Sequence, residues 1–112
     1  VLLVVGGSAA ENKIFAALAD PSRRAIFESL TRGEAAVREL TARFDISQPA
    51  VSQHLAALKE AGLVNGRREG RCVYYRVEPR GMKPLIDWIS HYRAFWVERV
   101  DRLERLLEKM EE

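Results

Sequence analysis

Residues Ser47 to Val64 read SQPAVSQHLAALKEAGLV, and the fold is decided by where the apolar residues fall within them. Val51, Leu55 and Leu58 recur at the spacing of one helix face, and Gly62 supplies a stop. Ser47 stands at the N-cap. Because Pro49 has no N–H, the Ser47 hydroxyl is expected to accept instead from the Ala50 N–H. The face turned away from the apolar stripe carries Gln48, Ser52, Gln53 and Lys59, with His54 at its edge. A glutamine can hold adenine through two hydrogen bonds, serine reaches base edges or phosphates, and Ala50 leaves room for a thymine methyl group. A face of Glu and Lys alone would read as solvated surface.

Upstream, Val37, Leu40 and Phe44 predict a helix over 37–44, begun by Ala36, a poor N-cap. Asp45 and Ile46 leave only a tight turn before Ser47. Two helices joined so closely, the second polar on its outer face, form a helix-turn-helix pattern. Further back, Asp20 caps a helix with Pro21 at its first position, running to about Thr31 and burying Ile26, Phe27 and Leu30. Gly33 ends it. Ile14, Phe15 and Leu18 give a short first helix over 12–19 one apolar face.

Downstream, the period changes to two. Val73, Tyr75 and Val77 alternate with Cys72, Tyr74 and Arg76, so Leu63 to Val77 is expected to form a β-hairpin turning at Glu69-Gly70-Arg71. Corners of two helices are common, but one followed at once by a basic hairpin is a specific arrangement. Arg67, Arg68 and Arg71 surround the tip, where guanidinium groups would reach phosphates or a minor groove. Pro79, Gly81 and Pro84 then separate the hairpin from a last helix spanning about 83–110. Along it Ile89, Tyr92, Trp96, Val100, Leu103, Leu107 and Met110 repeat at alternating threes and fours, a coiled-coil seam that asks for a partner helix. Glu98 with Arg102 and Asp101 with Arg105 are expected as i,i+4 pairs on its outer faces.

The whole chain of 112 residues suits one core, and its 47% hydrophobic and 30% charged residues suit a folded domain. Net charge is only +2, so its distribution carries the information. Arg67 to Lys83 holds six Lys/Arg against two Asp/Glu, whereas Glu98 to Glu112 holds four against six. One surface is built to meet an anion. The single cysteine, Cys72, excludes an internal disulfide and fits a cytoplasmic protein. Val1 to Val5 is too short to span a bilayer and lacks a basic leader, so no membrane partner is expected. Residues 1–10 are expected to be an extension outside the fold, disordered or foreign to the native chain, with the domain occupying 11–112. Phosphate-binding glycine loops, nucleophile-base sets and convergent carboxylates are missing from the readable motifs, so no enzyme is expected.

Three strings together, Phe15–Leu30 (FAALADPSRRAIFESL), Ser47–Val64 and Arg67–Val77 (RREGRCVYYRV), resemble the ArsR family of winged helix-turn-helix repressors over roughly residues 12–110. The resemblance implies a mostly α chain with a small β-hairpin in the order α-α-α-α-β-β-α. It also implies a homodimer joined through the first and last helices, with Phe15 in the interface beside the seam residues, binding the double-stranded DNA of a palindromic operator as a repressor or autorepressor. The DNA-contacting set is expected to be Ser47, Gln48, Pro49, Ser52, Gln53, His54, Lys59, Arg67, Arg68 and Arg71.

The metal-sensing sites of that family are not matched. Its last-helix site would begin at Asp87, but Ile89, Val100 and Leu103 stand where further ligands are needed, and the third-helix cysteine pair is replaced by Val37-Arg38-Glu39-Leu40. The segment YRAFW followed by RVDRLERLLEKM resembles a branch without recognised metal ligands. Asp87 and His91 make too few ligands for zinc and read better as a helix-surface hydrogen bond. Cys72 reads as an inert strand thiol rather than a redox switch. Trp88, Tyr92, Phe95 and Trp96 read as packing rather than a ligand pocket. His54 reads equally as a phosphate donor or as a local core group. No cofactor or metal is expected, and no effector is legible. The competing readings are a winged helix that binds only protein through its last helix, and a repressor switched by an unrecognised ligand or thiol.

Overall fold

The computed structural model describes residues 9–111, and the expectation for the apolar Val1–Val5 stretch lies outside them. The elements run α1 (Ala9–Ala19), α2 (Pro21–Leu30), β1 (Ala35–Ala36), α3 (Val37–Phe44), α4 (Gln48–Glu60), β2 (Val64–Glu69), β3 (Cys72–Val77), a 3-10 turn (Pro79–Met82) and α5 (Lys83–Glu111). Four short helices and a three-stranded antiparallel sheet surround one core, and α5 leaves it as a long arm.

The caps explain the boundaries. Asp20 Oδ1 accepts from the Arg23 N–H at 2.9 Å and starts α2, with Pro21 at its first position. Ser47 Oγ accepts from the Ala50 N–H at 3.2 Å and starts α4, the cap expected from Pro49. Asp45 adopts the left-handed conformation (φ 50°, ψ 44°), which ends α3 and lets the chain reverse into α4 within a few residues. Arg23 and Arg24 donate to the Ala17 and Leu18 carbonyls and so finish α1.

Ile14, Ile26, Leu40, Val51, Leu55, Leu58, Leu63 and Val64 are each at most 1% exposed. Each such aliphatic side chain stabilises the fold by about 1.5–3 kcal/mol. These residues lock α1, α2, α3 and α4 to the base of the hairpin, leaving the outer side of α4 in solvent.

Several details differ from the sequence expectation. The first helix begins at Ala9 rather than Asn12, so Ala9 and Ala10 belong to the fold. It buries Ile14 and Ala17, while Leu18 is half-buried and Phe15 is exposed, because α2 and α4 cover the Ile14–Ala17 edge. The hairpin gains a third strand: Ala35 pairs with Tyr75 and Ala36 with Tyr74, giving the order β1-β3-β2. Ala36 has no side chain with which to cap α3. The Glu39 carboxylate reaches back instead, accepting from the Ala36 N–H at 2.9 Å. On α5, Glu98 and Arg102 pair at 2.6 Å as expected, but Arg105 bonds the Asp101 carbonyl oxygen rather than its carboxylate. Asp87 pairs with Lys83 at 2.9 Å, and His91 stands edge-on to Tyr92 rather than bonding Asp87.

Candidate nucleic-acid interface

Helix α4 is held by its inner face and offers its outer one. Val51, Leu55 and Leu58 anchor it in the core, whereas Ser47, Gln48, Pro49, Ser52, Gln53 and Lys59 are all exposed. Helical spacing sets Gln48, Ser52 and Lys59 along one ridge, with Pro49 and Gln53 on the next. Among the described residues none of the Gln48, Ser52, Gln53 or Lys59 side chains is tied to another group, so their donors and acceptors are free for a ligand. His54 lies apart from them. It is half-buried, and its Nδ1 is buried without a partner among the described residues.

The hairpin extends the exposed polar surface beyond α4. Its strands pair from Val64↔Val77 to Glu69↔Cys72 and turn through the two residues Gly70-Arg71, with Gly70 at φ 62°. A two-residue turn with a positive φ at its first position matches the right-handed twist of the flanking strands. Gly66 sits opposite Tyr75, and a Cβ there would come within 3.0 Å of the Tyr75 ring. Tyr75 therefore folds over the strand and extends the core into the base of the wing.

The three wing arginines divide. Arg68 and Arg71 are exposed and make no ion pair among the described residues. Arg67 is bound on several sides. Its Nη2 and Nε donate to the Glu34 carboxylate at 2.6 and 3.1 Å, its Nη1 donates to Glu69, and its guanidinium lies 4.9 Å from the Tyr74 ring centre. The hydrogen bond from Arg67 holds the Glu34 carboxyl below the ordinary glutamate value, and the same bond raises the Arg67 pKa. Sequence reasoning missed Glu34, which sits 33 positions away from Arg67 with no motif linking them.

The last helix shows a second surface. Phe15 meets Trp88 edge-on at 5.4 Å, and Trp88 meets Tyr92 at 5.3 Å, so α1 and the start of α5 share an aromatic row. Beyond it the seam is bare. Ile89, Tyr92, Trp96, Val100, Leu103, Leu107 and Met110 are between 42 and 74% exposed. Phe95 is covered on one face by Arg99, 3.4 Å from the ring centre. Cys72 is half-buried opposite Glu69. Among the described residues no three His, Cys, Asp or Glu side chains gather as a metal-binding group, and no helix is long and apolar enough to cross a membrane.

Comparison with known proteins places this geometry. The family model described as "Bacterial regulatory protein, arsR family" matches residues 20–66, which run from the α2 cap through α4 into the wing. The transcriptional repressor SdpR of Bacillus subtilis is 32% identical over 81 residues, covering 72% of this chain and 90% of that one. The HTH-type transcriptional regulator Rv2034 of Mycobacterium tuberculosis is 38% identical over 97 residues, covering 87% and 88%. A crystal structure of an ArsR family transcriptional regulator superposes with a TM-score of 0.71 at 31% identity, covering 83% of this chain and 96% of the other.

Proposed function

The chain belongs to the ArsR family and is a DNA-binding transcriptional regulator; from that premise we propose that it represses transcription as a homodimer seated on a palindromic operator. The observation that carries the reading is the pairing of two surfaces. One is polar, made of the unpartnered ridge of α4 and the free Arg68 and Arg71 of the wing that follows it in the chain; the other is the bare apolar seam of α5.

Each surface has its own task. Gln48, Ser52 and Gln53 meet base edges in the major groove, because only base-edge contacts carry sequence information. Ser47, Lys59, Arg68 and Arg71 meet the phosphate backbone, and Pro49 and Ala50 allow close approach. The apolar arm of α5, with Phe15 beside it, covers its own copy in a second chain. Dyad symmetry then places two α4 helices about one helical turn apart on the duplex, which is why the operator is a palindrome. Repression follows if the dimer sits where polymerase must load, in keeping with the name of the related SdpR. Such a protein works in the cytoplasm, where the chromosome is.

Salt titration of duplex binding tests this reading. Affinity is expected to fall steeply and log-linearly as salt rises from about 50 to 200 mM, since bound cations release counterions. An affinity for duplex DNA that is absent or indifferent to salt, with a protein partner captured by the apolar arm instead, would favour a purely protein-binding winged helix.

A further inference from the structure

Arg67 and Arg68 are neighbours that serve opposite faces of β2, because successive strand residues alternate. Arg68 shares its face with Val64 and with Tyr75, both of which lean on the core. Arg67 shares the other face with Asn65, Glu69 and the directly opposite Tyr74. Glu34 approaches that face from the far side of the sheet. It precedes β1, and the strand order is β1-β3-β2, so the Glu34–Arg67 pair reaches across β3 and over the Tyr74 ring. The contact thus staples all three strands where the hairpin leaves the body. Beyond Gly66 the strands have few core contacts, and an isolated two-stranded ribbon is marginal in water. Something has to fix the angle of the tip.

The same geometry makes Arg67 a poor phosphate ligand. Three of its N–H groups already serve carboxylates, and its guanidinium lies over the Tyr74 ring. An approaching phosphate would meet the Glu34 and Glu69 charges first. We propose that Arg67 is a positioning residue rather than a DNA contact: its clamp with Glu34 and Glu69 over Tyr74 sets the wing angle at which Arg68 and Arg71 reach the duplex while α4 is seated. This inference rests on the DNA-binding reading above and assigns a task that Glu34 and Tyr74 did not have.

The test compares Arg67→Ala, Arg67→Lys, Glu34→Gln and Arg68→Ala by fluorescence anisotropy on a selected operator duplex and on a random duplex, at several salt concentrations. Glu34→Gln is the discriminating variant because it removes a negative charge from a DNA-binding protein. Simple electrostatics makes it bind every duplex more tightly, whereas loss of the clamp weakens the operator by about tenfold, the size expected for one misplaced contact. Arg67→Ala is expected to match that operator loss with its salt slope unchanged, while Arg68→Ala lowers the slope by about one. Lysine at position 67 keeps the charge but not the two-pronged geometry, so it should not restore operator binding. Glu34, Arg67 and Arg68 are all exposed, and far-UV circular dichroism checks that each variant is folded.

The proposal is overturned by tighter or unchanged operator binding in Glu34→Gln, by a slope reduction of about one in Arg67→Ala, or by full rescue with lysine. Wild-type protein that binds no duplex removes the underlying reading and this inference with it. Wild-type binding with variants that depart from the pattern removes the inference alone.

Discussion

Replacing Leu103 by glutamate strikes the α5 arm where the chain itself offers no support. Leu103 is 55% exposed in the single chain. Complete burial of a leucine stabilises by about 1.5–3 kcal/mol, so covering the exposed half contributes about 1 kcal/mol per chain and about 2 kcal/mol per dimer. Glutamate forfeits that and also brings two like charges into an apolar seam, where each uncompensated charge costs several kcal/mol more. The sum is at least about 4 kcal/mol, a thousandfold or greater rise in the dimer dissociation constant. Because Leu103 is not part of the core, the fold of each chain should survive, as circular dichroism would show. Sedimentation velocity at micromolar concentration should then find monomers, and operator affinity should collapse because one half-site supplies too little contact. An Arg105→Glu control, on the outer side of the same helix, should leave the dimer within a few-fold of wild type. A Leu103→Glu protein that sediments as an intact dimer would refute the seam.

Gln48→Ala should weaken operator binding by about 1–3 kcal/mol while sparing random duplexes, and equal losses on both in a competition assay would remove Gln48 from the base-reading set. Gly81→Ala would place a Cβ 1.6 Å from the Gly62 carbonyl oxygen. Backbone must move apart there, so urea unfolding should show a loss of about 3 kcal/mol or more, and an unchanged midpoint would mean that the 3-10 turn does not pack as described. The Arg23 N–H bond lowers the Asp20 pKa, so the cap contributes stability above the unfolded carboxylate pKa and loses it as pH falls through the depressed folded value. Asp20→Ala should therefore melt earlier than wild type at pH 7, and the difference should shrink in acid below about pH 4. A gap between the two melting curves that stays constant down to pH 2 would contradict that account of the cap.

What was legible in the sequence was what is local. Asp20-Pro21 and Ser47 with Pro49 mark helix starts within four residues, and the structure shows both caps made. The buried stripe of α4 and the alternation of β3 are likewise written into periodicity. Strand β1 was not, because Ala35–Ala36 is too short to show a period and is defined only by pairing with Tyr75 and Tyr74. Glu39 as a substitute cap could have been found from its place three residues after Ala36, a signal that the alanine obscured. The candidate site was half legible. The exposed polar ridge of α4 follows from the helix period, but composition treats Arg67, Arg68 and Arg71 alike. Only the folded sheet brings Glu34 across β3 to Arg67 and separates that arginine from its neighbours. Leu103 and its companions could be read as a seam from their spacing, and in the single chain they stay exposed.

The central claim is that this chain reads sequence in duplex DNA through α4 as a symmetric pair. Selection of bound fragments from random duplexes at physiological salt addresses it directly. The account predicts enrichment of an inverted repeat with half-site centres about 10 base pairs apart or a multiple of that. Folded protein that enriches no sequence, or a motif without dyad symmetry, would contradict it.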